Sequence, residues 1–121
     1  MRAQASARDR TGDADRTLRA MRQKGWDGVT KRQKKTVRRE LRAVGRGEES
    51  RWSEVIREVL DHYDREDPVC GDLLRMRYLQ EMPEELVYPR LYIGRTTYYR
   101  KELEALSTVA VYAAAAGLMD P

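Results

Sequence analysis

The sequence predicts an all-α fold, with a basic, partly disordered N-terminal arm and a helical domain that contains a C-terminal helix-turn-helix. Three observations predict it. Apolar residues recur at the spacing of one helix face in several segments. Proline and glycine stand where helices would begin and end. No segment alternates apolar and polar residues over the length of a strand. With 121 residues, a single domain is expected.

Charge divides the chain into a basic first part and an acidic second part. Residues 1–48 contain 15 Lys and Arg against 6 Asp and Glu, a net charge of +9, whereas residues 49–121 have a net charge of −5. A basic segment beside an acidic body indicates an anionic partner, most often nucleic acid. The alternative is a solvated tail without a partner.

The first 28 residues predict a disordered or weakly helical arm. Residues 1–15 are polar and charged without any period. Residues 16–24 could form a helix, but Leu18 and Met21 are their only large apolar side chains. Such a segment buries too little apolar surface to offset the entropy lost on ordering.

Residues 29–48 predict a basic helix. Thr30 can cap its N-terminus, because a threonine hydroxyl accepts a hydrogen bond from a first-turn N–H. Val37, Leu41 and Val44 lie on one face, and a Gly-Arg-Gly sequence ends the helix. Its cations could lie along DNA phosphates and add salt-dependent affinity. A solvated face and a partner-binding helix are the alternatives.

Residues 49–121 predict the helix-turn-helix domain, whose first helix has the clearest apolar stripe. Over residues 50–65 the apolar side chains follow the spacing i, i+3, i+4, i+7, i+8 and i+11, and the other face is charged. We expect this stripe to belong to the core, and the alternative is that it forms the surface of a protein-binding adaptor. The stripe comprises Trp52, Val55, Ile56, Val59, Leu60 and Tyr63.

Prolines mark the starts of two further helices. Asp67 and Pro68 predict a helix that runs to about residue 80, with the aspartate as N-cap. Pro83 predicts a short helix with two glutamates in its first turn, where carboxylates favour the helix dipole. Pro89 is expected to be excluded from this helix, because proline lacks the main-chain donor and clashes with the preceding turn. Residues 91–94 predict a turn.

The last helix is predicted over residues 95–116, with Gly117 as its stop. Its cationic and hydroxyl residues gather near the N-terminal end, on the side opposite a narrow apolar stripe. Tyr98 and Arg100 are expected on the flanks of that exposed side. The stripe, which predicts the buried side, comprises Tyr99, Leu103, Leu106 and Ala110.

Short helix, turn and second helix are the order of a helix-turn-helix, whose second helix enters the major groove. Residues 88–101 contain four cations and no acid, so this unit is locally positive. Arginine can pair with guanine through two hydrogen bonds, and hydroxyls can hold phosphate oxygens. The predicted DNA contacts here are Arg90, Arg95, Thr96, Thr97, Tyr98, Arg100 and Lys101. Those of the basic helix are Lys31, Arg32, Lys34, Lys35 and Arg38.

Catalytic and metal chemistry have little support in the sequence. The chain has one cysteine and one histidine, so it can form neither an intrachain disulfide nor a zinc site of Cys and His ligands. His62 is expected to be exposed, and Cys70 to be a buried, inert thiol. We expect no enzyme activity, no cofactor and no metal. The longest apolar run has 11 residues, well short of the roughly 20 that span a membrane, so a cytoplasmic protein is expected.

The stretch "LLRMRYLQEMPEELVYPRLYIGRTTYYRKELEAL" resembles the helix-turn-helix of sigma-factor region 4. Its parallels are a helix that ends in Arg77-Tyr78, the Glu84 to Leu86 segment and the turn from Tyr92 to Gly94. More narrowly, roughly residues 50–118 are similar to the ArpU/RinA group of phage and prophage transcriptional regulators. The matching residues are Thr97, Tyr98, Tyr99, Arg100, Ala105, Leu106, Ala110, Gly117 and Leu118.

This resemblance implies binding to double-stranded DNA that activates phage late genes, in the cytoplasm of a bacterial host. Host RNA polymerase is an additional candidate partner, and the Ala-rich residues 110–116 are a candidate homodimer contact. Two positions depart from the pattern. Gly94 stands where such turns usually have a capping serine, and Pro89 stands where an ordinary helical residue is usual.

Two other functions fit the same order of helices. A phage small terminase subunit also combines a helix-turn-helix with oligomerising helices, and a ring of eight or more subunits would favour it. A sigma-like factor would contact RNA polymerase through the basic helix. Only region 4 of such a factor is visible in the sequence, and nothing resembles a promoter-melting segment.

Overall fold

Two capped helices open the part of the chain that the computed structural model describes, residues 29–119. The expected arm over residues 1–28 lies outside these described residues. Helix α1 spans Lys31–Gly45 and helix α2 spans Arg51–Glu66. Thr30 forms a capping box with Gln33: each main-chain N–H donates to the other's side chain, at 3.1 and 2.8 Å. The predicted cap of the basic helix is confirmed.

Three more helices complete the described chain. Helix α3 spans Pro68–Leu74 and continues as one π-helical segment over Arg75–Leu79, which we call the π segment. Helix α4 spans Glu84–Arg90, and helix α5 spans Arg95–Ala115. Residues 29–119 contain no strand, so the all-α expectation is confirmed for them.

The two glycine stops work as predicted. Gly47 and Gly117 have φ of 95° and 75°, the left-handed conformation that glycine adopts without steric cost. At each end the residue after the glycine donates its N–H to the carbonyl five residues earlier, Glu48 to Ala43 at 3.1 Å and Leu118 to Ala113 at 2.8 Å. These bonds satisfy carbonyls that the end of a helix leaves free.

Two details of the predicted helix ends are wrong. Pro89 lies inside α4, in its last turn, where only one main-chain hydrogen bond is lost and the helix ends one residue later. Asp67 is the N-cap residue of α3 and Pro68 begins the helix, as predicted, but the expected capping hydrogen bond from the Asp67 side chain is absent. Its carboxylate accepts a hydrogen bond from Lys101 instead, at 2.8 Å.

Helix α5 is the centre of the main core. Residues 105–113 are buried on every side, and α1, α2 and α3 pack around them. The predicted narrow stripe is therefore wrong for this half, because a helix surrounded by neighbours buries its whole circumference. The same burial covers residues 110–113, so these side chains are not free for the expected homodimer contact.

The basic helix and the predicted stripe of α2 both belong to this core. Val37 and Leu41 of α1 are fully buried, and Val44 packs against them. In α2 the stripe from Trp52 to Tyr63 is buried or half-buried, which confirms its interpretation as core rather than as an adaptor surface. Residues 29–48 therefore pack into the same core as the helices that follow.

A second, smaller cluster joins α3, α4 and the start of α5. Leu73, Val87 and Tyr98 are fully buried at its centre. Partly buried side chains surround them from the π segment and from the connections on both sides of α4. This cluster holds the short helix and the four-residue connection against the first turns of α5.

His62 and Cys70 are both buried. The expectation of an exposed histidine is wrong, since the His62 ring packs 5.2 Å from the Tyr63 ring and 6.1 Å from the Tyr112 ring, measured between centroids. The buried thiol of Cys70 is confirmed. Among the helices of the described chain, none combines the length and the apolar character needed to cross a membrane.

Candidate nucleic-acid interface

The first two turns of α5 present a different face from the predicted one. Tyr98 is fully buried, whereas Tyr99 is 45 % exposed. The expectation placed Tyr99 in the core and Tyr98 on the DNA side, so both assignments are wrong. Tyr98 is the residue that meets Leu73 and Val87 in the smaller cluster, and burying it turns Tyr99 outward.

The exposed residues of these turns share one helix face. They follow the spacing i, i+1, i+4 and i+5, which brings side chains of successive turns together. The face carries two arginines, two hydroxyls and no acid. It lies at the helix N-terminus, where free N–H groups and the helix dipole add positive potential. We call it the α5 face, and it comprises Arg95, Thr96, Tyr99 and Arg100.

Two of the predicted contact residues are engaged inside the protein. The Tyr98 hydroxyl donates to Glu102 at 2.7 Å, and burial, followed by this carboxylate, raises the pKa of the tyrosine. Lys101 is mostly buried, and its ammonium donates to Asp67 at 2.8 Å. Thr97 is half-buried. The structure therefore does not bring these side chains onto the α5 face.

Side-chain contacts fix α5 relative to α4. The Tyr99 hydroxyl donates to Glu84 at 2.8 Å, and this hydrogen bond raises the pKa of the tyrosine. The Arg95 guanidinium carbon lies 5.9 Å from the centre of the Tyr88 ring, a cation–π distance. Its Nη2 is 3.5 Å from the Tyr88 hydroxyl. Arg90 is exposed at the end of α4.

Two exposed apolar side chains, on α4 and in the connection before α5, were missed by sequence reasoning. Tyr92 is 95 % exposed and has a φ of 56°, an uncommon conformation for a side chain of this size. Leu86 on α4 is 51 % exposed. In the sequence, Tyr92 is a tyrosine inside a predicted turn and Leu86 is a leucine between glutamate and valine. Neither pattern shows whether the side chain is exposed or buried.

The cations of the basic helix divide into two groups. Lys31, Arg32 and Lys35 are exposed, as predicted for phosphate contacts, whereas Lys34 and Arg38 are half-buried. The Arg38 Nε is 3.4 Å from the Tyr78 hydroxyl. Helix α1 packs against both the π segment and α5, so its cations belong to the same packed unit as the α5 face.

One group of side chains in the described chain has the spacing of metal ligands. Donor atoms of Asp67, Cys70 and Glu104 lie within 4.8 Å of one another. Burial, followed by the charge of Glu104, raises the pKa of the thiol, and the Lys101 ammonium already pairs with Asp67. The arrangement is accounted for as a partly buried, hydrogen-bonded ion pair beside a buried thiol.

Compared with protein-family models, with curated proteins and with solved structures, the chain has no match. Its function is therefore inferred from the chemistry of its own residues.

Proposed function

We propose that this chain binds double-stranded DNA and that α4, the connection and α5 act as its helix-turn-helix. In this proposal α5 enters the major groove with its N-terminal turns. The observation that carries it is the α5 face, where two arginines and two hydroxyl side chains stand together at an exposed helix start. None of the four residues is acidic, and the one carboxylate that contacts them in the described chain, that of Glu84, accepts the Tyr99 hydroxyl.

The α5 face has the chemistry that direct readout needs. Arg100 is exposed and forms no ion pair with a described residue, so its guanidinium is free to pair with guanine O6 and N7. Arg95 is oriented by the Tyr88 ring, which reduces the side-chain freedom lost on binding. The Thr96 hydroxyl and the N–H groups of the first turn suit phosphate oxygens.

The small cluster supplies the rigidity that such a face needs. Because Leu73, Val87 and Tyr98 are fully buried, the short helix and the start of α5 are held as one unit. The Tyr99–Glu84 hydrogen bond adds a second link on the outer side. A base-reading helix must be positioned within fractions of an ångström to use bidentate hydrogen bonds.

We further propose that the chain regulates transcription of phage or prophage late genes in the bacterial cytoplasm. The similarity of the Thr-Tyr-Tyr-Arg helix opening to the ArpU/RinA group supports this narrower function. The exposed Leu86 and Tyr92 favour a second role, contact with a protein partner such as host RNA polymerase, because exposed large apolar side chains suit a protein-binding surface.

The experiment is selection of duplexes from a random library, followed by fluorescence anisotropy with the selected duplex and with an unrelated one. The key variant is Arg95→Gln/Arg100→Gln. Each bidentate arginine–guanine contact discriminates by about 1–3 kcal/mol, so the preference for the selected duplex should fall at least about tenfold. The matched control is Arg57→Gln/Arg65→Gln, which removes two exposed charges from α2.

The control should keep the sequence preference of the wild type. The proposal is wrong if the wild type enriches no duplex at low salt, or if the control variant loses the preference as much as the key variant does. Enrichment of a common sequence together with selective loss in Arg95→Gln/Arg100→Gln would support it.

A further inference from the structure

Three arginines from two elements converge on one buried tyrosine. Tyr78, in the π segment, is 1 % exposed. The Arg42 and Arg77 guanidinium carbons lie 5.6 and 5.4 Å from the centre of its ring, and the Arg38 Nε is 3.4 Å from its hydroxyl. All three arginines are half-buried, so the cluster reaches the surface between α1 and the π segment.

These three cations have no direct counter-ion among residues 29–119. The ion pairs of that range join other cations to carboxylates, namely Arg39, Arg46, Arg75 and Lys101. One carboxylate, that of Glu102, acts on the cluster, since its charge contributes to raising the pKa of Tyr78. The Glu102 carboxylate accepts a hydrogen bond from the Tyr98 hydroxyl at 2.7 Å. The three arginines therefore carry three positive charges against this one negative charge.

Arg77 shows that the cluster is incompletely satisfied. Its Nη1 donates to the Met82 carbonyl at 3.2 Å, but its Nε is buried without a hydrogen-bond partner in the described chain. A buried charged donor without an acceptor costs free energy, and an anion against the outer part of this guanidinium would offset part of that cost through its charge. The orphan donor points to an anionic ligand.

Tyr78 cannot supply the missing negative charge. Burial, followed by the charge of Glu102, raises the pKa of its hydroxyl, which therefore stays neutral at physiological pH. A neutral hydroxyl can accept from Arg38 and still donate its proton to a ligand oxygen. Several guanidiniums with a hydroxyl between them match a tetrahedral oxyanion, because each planar fork donates to two oxygens.

We infer that Arg38, Arg42 and Arg77 form a phosphate-binding site around Tyr78 and that a phosphodiester of the DNA backbone occupies it. This inference rests on the proposed function, since the DNA that occupies this site is the duplex that the α5 face would read. Glu102, whose charge acts on Tyr78, belongs to the N-terminal half of α5, the helix that carries that face. A phosphate held here would fix the register of the duplex without reading its sequence.

The first test is the salt dependence of binding to the selected duplex and to an unrelated one. For Arg38→Gln/Arg42→Gln, we expect the slope of log K against log salt to be less steep by about 1, the value for one lost phosphate contact. Affinity should fall for both duplexes by the same factor, leaving the sequence preference unchanged. Arg57→Gln/Arg65→Gln is the charge-matched control and should keep the wild-type slope.

The second test does not need DNA. Inorganic phosphate is titrated at constant ionic strength while the arginine Nε–Hε signals are followed by NMR. In the wild type a saturable shift is expected for Arg38, Arg42 and Arg77 and not for the exposed Arg57. Arg42→Lys keeps the charge but loses the planar fork, so it should weaken the shift of the remaining arginines. Circular dichroism checks that each variant is folded.

The outcomes separate the site from the proposed function. An unchanged salt slope in folded Arg38→Gln/Arg42→Gln, in a protein that binds DNA, overturns the phosphate site and leaves the α5 face intact. Saturable phosphate binding in a wild type that binds no DNA supports the anion site and overturns both its DNA occupant and the proposed function. If the wild type binds neither phosphate nor DNA, the phosphate site and the proposed function are both overturned.

Discussion

Gly45, at the end of α1, lies directly against the main chain of Leu79, at the end of the π segment. A Cβ at position 45 would stand 2.6 Å from the Leu79 Cα and closer still to its carbonyl oxygen. Real Cβ atoms essentially never come this close to main-chain atoms. The glycine therefore permits the approach of α1 to the π segment, and with it the grouping of arginines around Tyr78.

This contact predicts that Gly45→Ala destabilises the fold. Helix propensity alone would make alanine better by about 1 kcal/mol, whereas crowding against main-chain atoms costs about 1–3 kcal/mol. We expect the free energy of unfolding, measured with urea, to fall. Gly94→Ala is the control, since nothing lies within 4 Å of its added Cβ, and its effect should stay within about 0.5 kcal/mol. A more stable Gly45→Ala protein would contradict the close approach.

Truncation of the two adjacent tyrosines of α5 should lower the stability by very different amounts. Tyr98→Ala removes a fully buried ring and should cost about 3–5 kcal/mol of stability, as large aromatic-to-alanine changes in cores do. Tyr99→Ala removes a half-exposed ring and should cost less than about 1 kcal/mol.

DNA binding provides the second measurement on this pair. Tyr99→Ala should weaken binding to the selected duplex, because Tyr99 belongs to the α5 face. Tyr99→Phe keeps the ring but loses the hydrogen bond to Glu84, and thereby separates contact by the ring from positioning by the hydroxyl. Equal losses of stability in Tyr98→Ala and Tyr99→Ala would mean that the burial of the two rings is wrong.

The helix positions could be predicted from the sequence because local signals determine them. Thr30, the proline starts and the glycine stops act within a few residues of where they stand. The predicted ends agree with α2 and α5 within one residue and with α1 within three. The orientation of α5 could not be predicted. Its second half has apolar side chains all around the helix, together with the small polar Ser107 and Thr108, so the sequence pattern does not show which side faces the core. Contacts with α3 and α4 decide which tyrosine is buried.

Contacts between residues far apart in the sequence also explain the burial of His62 and the grouping of arginines around Tyr78, neither of which was predicted. His62 is buried because it meets Tyr112, fifty positions later in the chain. The arginine cluster joins α1 to the π segment, about 35 to 40 positions away, and no local pattern relates these positions. The cations of the basic helix that were expected to lie along phosphates therefore included Arg38 and Arg42, but Arg77, their neighbour in space, was missed.

The Asp64–Arg75 ion pair predicts a contribution to acid sensitivity. The carboxylate accepts two hydrogen bonds from the guanidinium, at 2.9 and 2.8 Å, and these lower the pKa of Asp64 below its ordinary 3.8. A carboxyl whose pKa is lower in the folded state stabilises the fold above its unfolded pKa, and this contribution is lost as pH falls through the folded pKa.

Asp64→Asn should therefore lose less stability than the wild type on acidification below about pH 4. Urea unfolding over a pH series measures the difference, with Asp61→Asn, an exposed change on the same helix, as the control. Parallel pH curves for the wild type and Asp64→Asn would show that the pair does not contribute.

Cys70 should be unreactive in the folded protein. Burial, followed by the charge of Glu104, raises the pKa of the thiol, and only the thiolate is an effective nucleophile. At neutral pH we expect alkylation by iodoacetamide to be at least about a hundredfold slower than in concentrated guanidinium chloride. Mass spectrometry over time measures both rates, and similar rates in the two conditions would contradict the burial of the sulfur.

The start of α5 can be stabilised by one substitution. Gly94 occupies the N-cap with φ −80° and ψ 168°, an extended conformation open to any residue, and no side chain caps the helix. Nothing lies within 4 Å of a Cβ added there. Gly94→Ser should increase the free energy of unfolding by about 0.5–1 kcal/mol, because the hydroxyl can accept a first-turn N–H and the unfolded chain loses freedom.

Gly94→Ala isolates the capping effect. Alanine restricts the unfolded chain similarly but provides no hydrogen-bond acceptor. The free energy of unfolding should therefore be about 1 kcal/mol higher for Gly94→Ser than for Gly94→Ala. Urea unfolding of the three proteins gives the comparison. Because the same N–H groups are proposed to face phosphate, Gly94→Ser should also weaken DNA binding slightly while it stabilises the fold. Equal stability of the serine and alanine variants would mean that the first turn of α5 is not free to be capped.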